Sequence, residues 1–119
     1  MPQVIIHMSE TPDQGSKSAL VKEIRQAISK VLDLEITIGQ VILYTSPVAN
    51  RKTHADRDPN FVFVEVFMYP GRKPALKQEM MDRFSMLINR YTDVNPQDIH
   101  AVIHEIPKEN YFGGIKKQH

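Results

Sequence analysis

A gapless shift of 60 residues lays the second half of this chain on the first, and that repeat constrains the fold more than any local motif. The shift pairs Val4 with Val64, Met8 with Met68, Lys17 with Lys77 and Ile28 with Ile88. It also pairs Asp33 with Asp93, Pro47 with Pro107, and Asn50 with Asn110. Identities at this level carry little weight alone; the apolar pattern carries more. Leu20, Ile24, Ala27, Ile28 and Val31 fall on Met80, Phe84, Leu87, Ile88 and Tyr91, so one helical stripe lies over another. Val4, Ile6 and Met8 fall on Val64, Val66 and Met68, and 41–43 falls on 101–103. We read a tandem duplication within a single domain: repeat one over about 1–48, a connecting loop 49–60, and repeat two over about 61–119.

Each half reads strand, helix, strand. The first strand is expected over about 2–8, with Val4, Ile6 and Met8 on one face and Ile5 and His7 on the other. An Ala-, Lys-, Glu- and Leu-rich segment predicts a helix over 14–32, followed by a strand over 39–46. The run FVFVEVFMY at 61–69 is the strongest strand in the chain. A Pro70-Gly71 turn then leads to a helix over 74–91, with Pro74 in the first turn where proline is accepted, and the last strand covers 99–105. Met80, Met81 and Met86 are read as core of that second helix. The segment ANRKTHADRDPN has almost no apolar residues and reads as a polar loop. Helices joining strands of one sheet make right-handed parallel crossovers. Two such β-α-β units predict an α/β two-layer fold: a four-stranded mixed sheet with both helices on one face.

That arrangement leaves one sheet face uncovered. If Val62, Val64 and Val66 meet the helices, then Phe61, Phe63 and Phe67 face away beside Ile5 and His7, a patch that calls for burial against other subunits or under loops. Composition narrows the chemistry. The chain has 119 residues and no cysteine, which removes disulfides, thiolate metal sites and thiol nucleophiles and makes a reducing, cytoplasmic setting the default. Fifteen Lys and Arg against fourteen Asp and Glu give a formal net charge of +1, so no nucleic-acid partner is expected. No apolar run approaches the roughly 18 residues that span a bilayer, and the opening MPQVIIHMSE lacks a signal peptide's basic region, so no membrane partner is expected either. His7, His54 and His104 show no ligand spacing, so neither a metal nor another cofactor is expected.

The Met-Pro opening is trivial by frequency but chemically unusual. Removal of Met1 leaves Pro2 as a secondary amine, able to act as a general base or as a nucleophile towards carbonyls. A free α-amino group sits near pKa ~7.7–8.0. Apolar surroundings or a nearby cation disfavour its ammonium form and bring it towards neutrality.

A duplicated β-α-β unit with proline after the initiator methionine resembles the tautomerase superfamily, in a fused two-unit version of the 4-oxalocrotonate tautomerase pattern. MPQVIIHM, LVKEIRQAISKVLD and VIHEIPKENYFGG carry the likeness in that order, over nearly the whole chain. The resemblance implies that Pro2 is the catalytic amine and that Arg72, in the turn YPGR, binds the carboxylate of a small anionic carbonyl substrate. Pro12 takes the corresponding place in the first half, so a single cation is retained. The family's second arginine is replaced by Gln40 and His100, of which His100 can still hydrogen-bond a carbonyl or carboxylate. An aromatic wall falls on Tyr111 or Phe112. The implied reaction is enol–keto conversion of a 2-oxo acid, and the implied assembly is a homotrimer whose sheets enclose a barrel.

Other readings stay open on these residues. Hydration, dehalogenation or decarboxylation use the same fold, but they ask for an extra carboxylate or arginine that has no obvious candidate. A ferredoxin-like binding module shares the element order, and a relative without catalysis, acting through assembly, fits the missing arginines. Arg72 also suits a solvated surface turn, His100 a strand edge, and Tyr111 and Phe112 an oligomer contact. His54, with Arg51 and Arg57, belongs either to a solvated loop or to a lid.

Overall fold

Strict alternation of buried and open positions is strongest in Val62–Met68, where Val62, Val64, Val66 and Met68 are all buried. Period-two patterning of this kind gives a strand with one face on a core. In the computed structural model of the protein, which describes residues 1–10 and 14–115, this strand is β3. The full order is β1 (Gln3–Ser9), α1 (Gln14–Leu32), β2 (Gln40–Ser46), β3, α2 (Pro74–Tyr91) and β4 (Ile99–Glu105). Both helices and the last strand fall where the sequence predicts them; β2 differs by one residue at its start, and β1 and β3 differ by one residue at each end. Short 3-10 turns at Val48–Asn50 and Lys108–Asn110 follow Pro47 and Pro107, at matching places in the two halves.

The sheet order is β2-β1-β3-β4. β1 runs parallel to β2, β3 runs parallel to β4, and the two central strands are antiparallel. Strands joined by a helix are therefore direct neighbours, which excludes the split β-α-β order of ferredoxin-like domains. Val4 stands opposite Val66 and Ile6 opposite Val64. A shift of 60 exchanges these two pairs and places the centre of the sheet at Ile5 and Glu65. The fold is the α/β two-layer plate that the sequence predicts.

One layer of side chains joins sheet to helices. Val4, Ile6 and Met8 meet Leu20, Ile24 and Ile28 of α1, while Met80, Phe84 and Ile88 of α2 complete the core. Each such side chain contributes on the order of 1.5–3 kcal/mol relative to exposure. Met86 departs from the helical core reading: it is 64% exposed, because it lies two residues past Phe84 on the outer side of α2. α1 stops where Asp33 takes a left-handed φ of 54°, and Leu34 N–H closes on the Ser29 carbonyl at 2.9 Å. α2 stops at Thr92, whose backbone N–H and hydroxyl both donate to the Ile88 carbonyl, at 2.9 and 2.7 Å. Among the described residues, no helix is long and apolar enough to cross a membrane.

The second sheet face carries no helix. Phe63 lies on it with Ile42 and Tyr44, all exposed, and Phe61, Phe67, Ile5 and His7 are half-buried there. Glu65 sits in the middle of this face. His7 Nε2 lies 2.8 Å and His104 Nε2 3.3 Å from its two carboxylate oxygens. His104 stacks on Phe67 at 4.5 Å, and His7 on Tyr44 at 6.1 Å. These two stacks are related by the same shift of 60.

The hydrogen bond from His7 holds the Glu65 carboxyl below the usual carboxylate range; partial burial opposes this, while the His104 bond and both imidazole charges add to it. Glu65 therefore stabilises the fold while ionised, and that contribution is lost as pH falls below the ordinary glutamate value of ~4.3 and through the depressed folded value. Urea unfolding of wild type and Glu65→Gln across pH should show a stability gap at neutral pH that closes in the acid range. A gap that stays constant on acidification would contradict this role.

Candidate active site

Strand direction decides what gathers around Pro2. β1 starts at one end of the sheet; β2 starts beside it, and β3, running the other way, finishes there. Pro2 is buried just before β1, and its carbonyl accepts the Gln40 N–H at 3.2 Å. Gly39 makes this junction possible. Its φ is +102°, in a region that side chains rarely enter, and a methyl group there would lie 3.7 Å from Pro2 Cγ and 3.9 Å from Ile28 Cγ2. The proline ring is thus held where β1, the loop into β2 and α1 converge.

Arg72 follows the end of β3 and belongs to this same end of the sheet. Its Nη1 donates to the Leu32 carbonyl at 2.9 Å, at the C-terminus of α1, where a cation is favoured by the helix dipole. A guanidinium has five donors, so this bond leaves others for a ligand. β4 finishes beside β3, with Ile106 N–H on the Met68 carbonyl at 2.8 Å. The chain then turns through Lys108–Asn110 and brings Tyr111 back to β1, where its hydroxyl accepts a bond from Gln3 Nε2 at 3.1 Å. Tyr69 meets the Tyr111 ring edge-on at 6.0 Å, and Lys108 Nζ lies 5.6 Å from the Tyr69 ring centre. Gly113 lets the chain pass close to the Tyr111 ring: a methyl group there would stand 3.1 Å from Tyr Cε2.

Pro2, Arg72 and Tyr111, expected from the sequence, therefore share one end of the sheet, and Tyr69 and Lys108 join them. Lys108 is a cation the sequence reading passed over; its only signal is its place after Pro107 in the segment that ends the second repeat. Phe112 is 79% exposed and points away from this cluster, so within the chain the aromatic neighbour is Tyr111. His100 is not brought to Pro2 either. It pairs with Phe63, whereas Gln3 pairs with Phe67, four positions further along β3. At ~3.3 Å per residue that is roughly 13 Å of strand. The distance follows from parallel pairing, which puts the start of β4 beside the start of β3 and so at the opposite end from Pro2. Pro12, the counterpart of Arg72 in the first half, lies outside the described residues.

The family model described as "Tautomerase enzyme" matches residues 40–113. The chain belongs to the tautomerase family. The matched span runs from β2 to Gly113 and takes in Arg72, Lys108 and Tyr111, while Pro2 precedes it. No curated protein matches. Solved structures with the same fold include a fused 4-OT wild-type symmetric trimer, at 19% identity and a TM-score of 0.83, over 92% of this chain and 89% of that one. FG41 malonate semialdehyde decarboxylase is similar at 18% identity and 0.82, over 97% and 91%. A macrophage migration inhibitory factor-like protein from Entamoeba histolytica is similar at 17% and 0.82, over 95% of each chain. Proteins as different as a fused 4-OT and a malonate semialdehyde decarboxylase thus share this architecture.

The Gly39 geometry is open to a direct test. The space at Gly39 admits a methyl group at ordinary contact distance, so the cost of Gly39→Ala comes from the left-handed backbone, about 1–2 kcal/mol. Chemical denaturation of the variant should show that loss, and an unchanged midpoint would refute the strain.

Proposed function

We propose that the protein is a cytoplasmic isomerase in which Pro2, freed by removal of Met1, converts enol and keto forms of a small 2-oxo acid. With Met1 attached the Pro2 nitrogen is a tertiary amide without a basic lone pair; as the chain terminus it is a secondary amine. That amine takes a proton from the carbon next to the carbonyl, the C–H electron pair forms the C=C bond, and negative charge develops on the carbonyl oxygen. The proton then returns to oxygen, and the reverse sequence ketonises an enol. Arg72 binds the carboxylate and favours the developing charge. The Tyr111 hydroxyl lines the same end.

The observation that carries this reading is the burial of Pro2 at the start of a central strand, with Arg72 and Tyr111 at the same end of the sheet. Burial and the cations Arg72 and Lys108 disfavour a further positive charge on the amine, which keeps it available as a base. The family's description as tautomerase enzymes points the same way.

Mass spectrometry of the protein made in cells should show loss of Met1. Pro2→Ala should then lower kcat/KM for enol–keto conversion of phenylpyruvate by at least about 100-fold, the scale of a lost general base. Active protein that retains Met1, or a variant with full activity, would overturn Pro2 as the catalytic amine, and Met1-free protein without turnover would leave the non-catalytic reading standing. Arg72→Ala should raise KM by about 10-fold or more, as expected for a lost charge-assisted contact, with partial recovery in Arg72→Lys. An effect on stability alone would reduce Arg72 to a partner of the α1 terminus.

We also propose that copies of the chain cover the open sheet face, as a homotrimer. The apolar side chains around Phe63 and Tyr44 give a physical reason for association, and a fused 4-OT of the same fold is a symmetric trimer. Light scattering should give a multiple of 13.7 kDa, with three copies favoured. A monomer would refute the assembly.

A further inference from the structure

The open sheet face carries an uneven set of ionisable groups. Val41, Leu43, Ile99, Ala101 and Ile103 pack on the core, so alternation sends Ile42 and Tyr44 of β2, and His100, Val102 and His104 of β4, to the open side. His7 of β1 and Glu65 of β3 join them there. Among the described residues of the four strands, Glu65 is thus the one carboxylate on this face, against three imidazoles. Glu105 of β4 turns to the helices instead, where it meets Lys77 of α2 at 3.5 Å.

Two of the three imidazoles share Glu65. His7 Nε2 and His104 Nε2 approach separate oxygens of its carboxylate, at 2.8 and 3.3 Å. Their ring neighbours carry no charge: His7 faces Tyr44 and Phe63 at 6.1 and 6.2 Å, and His104 faces Phe67 at 4.5 Å. His100 meets Phe61 edge-on at 6.5 Å and lines a hollow with Lys52, Thr53 and His54 of the loop before β3. Arg51 of that loop lies 4.0 Å over the Phe61 ring. The charged groups that border the cluster are therefore basic.

These positions set how the face charges as protons bind. With all three imidazoles neutral, Glu65 leaves it one negative charge, held by two hydrogen bonds. A first proton on His7 or His104 completes an ion pair and brings the strands' face to neutrality. A second and a third find no carboxylate left to meet, and turn the face positive. Imidazoles bind protons near ~6.5, while the Glu65 carboxyl, held below the usual range, stays ionised at that pH. The passage from neutral to positive thus falls in mild acid.

We propose that His7, Glu65 and His104 form a pH switch for self-association, which lets copies of the chain close on this face near neutral pH and drives them apart in mild acid. The inference rests on the assembly proposed above, in which copies of the chain cover this face and each brings the same charges. Because contact opposes the later protons, association is at full strength above the ordinary imidazole value and is lost as pH falls through it. Each proton so excluded weakens association about tenfold per pH unit.

Sedimentation equilibrium should give an assembled mass, a multiple of 13.7 kDa, at neutral pH. On acidification by two pH units, the protein concentration at half-assembly should rise about tenfold or more, with helix content by circular dichroism retained. The double variant His7→Gln, His104→Gln keeps amides that can bond Glu65 but binds neither proton, and should stay assembled in mild acid. Glu65→Gln removes the counter-charge and should move the loss about one unit towards neutral pH. Wild type equally assembled at both pH values, a double variant that dissociates in acid as wild type does, or an unmoved transition in Glu65→Gln would each overturn the switch and leave the assembly standing. A monomer throughout would overturn the assembly and the switch together.

Discussion

The antiparallel pairing of β1 with β3 about Ile5 and Glu65 is the constraint on which the rest of the structure depends. Because side chains alternate, a slip of one residue would turn every valine of β3 from the helices to the open face. The register is therefore fixed by the core itself: Val4, Ile6, Val64 and Val66 must face α1 and α2 together. Once it is fixed, the ends follow. β1 begins where β3 finishes, so Pro2 and Arg72 lie at one end, and the starts of β3 and β4 meet at the other. The antiparallel centre, flanked by a parallel crossover on each side, is what gives the sheet two related ends.

On the open face the same pairing gathers charge at the centre. Glu65 stands across from Ile5 and reaches diagonally to His7 on β1 and His104 on β4. An isolated carboxylate among Phe63, Phe67 and Tyr44 would be costly once covered, and two imidazole partners offset that cost. The face is thus apolar in its aromatic rings and satisfied in its one carboxylate, a combination suited to contact with a further surface.

Much of this was legible in the sequence because it depends on local periodicity. The α1 and α2 boundaries follow from apolar spacing and from Pro74, and the strand faces follow from alternation. Glu65 was not legible: it breaks no pattern in FVFVEVFMY, and its partners lie 58 and 39 residues away in the chain. His100 shows a different limit. Its place at the start of a late strand is readable, but the end of the sheet it occupies depends on a parallel register set by long-range packing rather than by a turn. Met86 erred for a simpler reason: methionine fills cores and surfaces alike, and a spacing of two from Phe84 turns it outward. Lys108 and Phe112 flank Tyr111 in one short segment, where a single residue of phase decides which side chain meets β1.

The two ends also change what the near-zero net charge means. Arg72 and Lys108 lie at the Pro2 end, and Lys52, His54 and His100 at the other, while several acidic groups are paired locally. Glu105 meets Lys77 at 3.5 Å, Glu79 meets Arg83 at 3.7 Å, and Glu65 sits between its histidines. A total of +1 therefore leaves room for local cations beside carboxylates that are paired elsewhere. Such an arrangement exerts little force on a polyanion at long range. It acts on a small anion within about a Debye length, ~8 Å at physiological salt. The shift of 60 relates the two ends, but Val62, the counterpart of Pro2, lies mid-chain. The two ends thus differ by chain connectivity, before any side chain is considered.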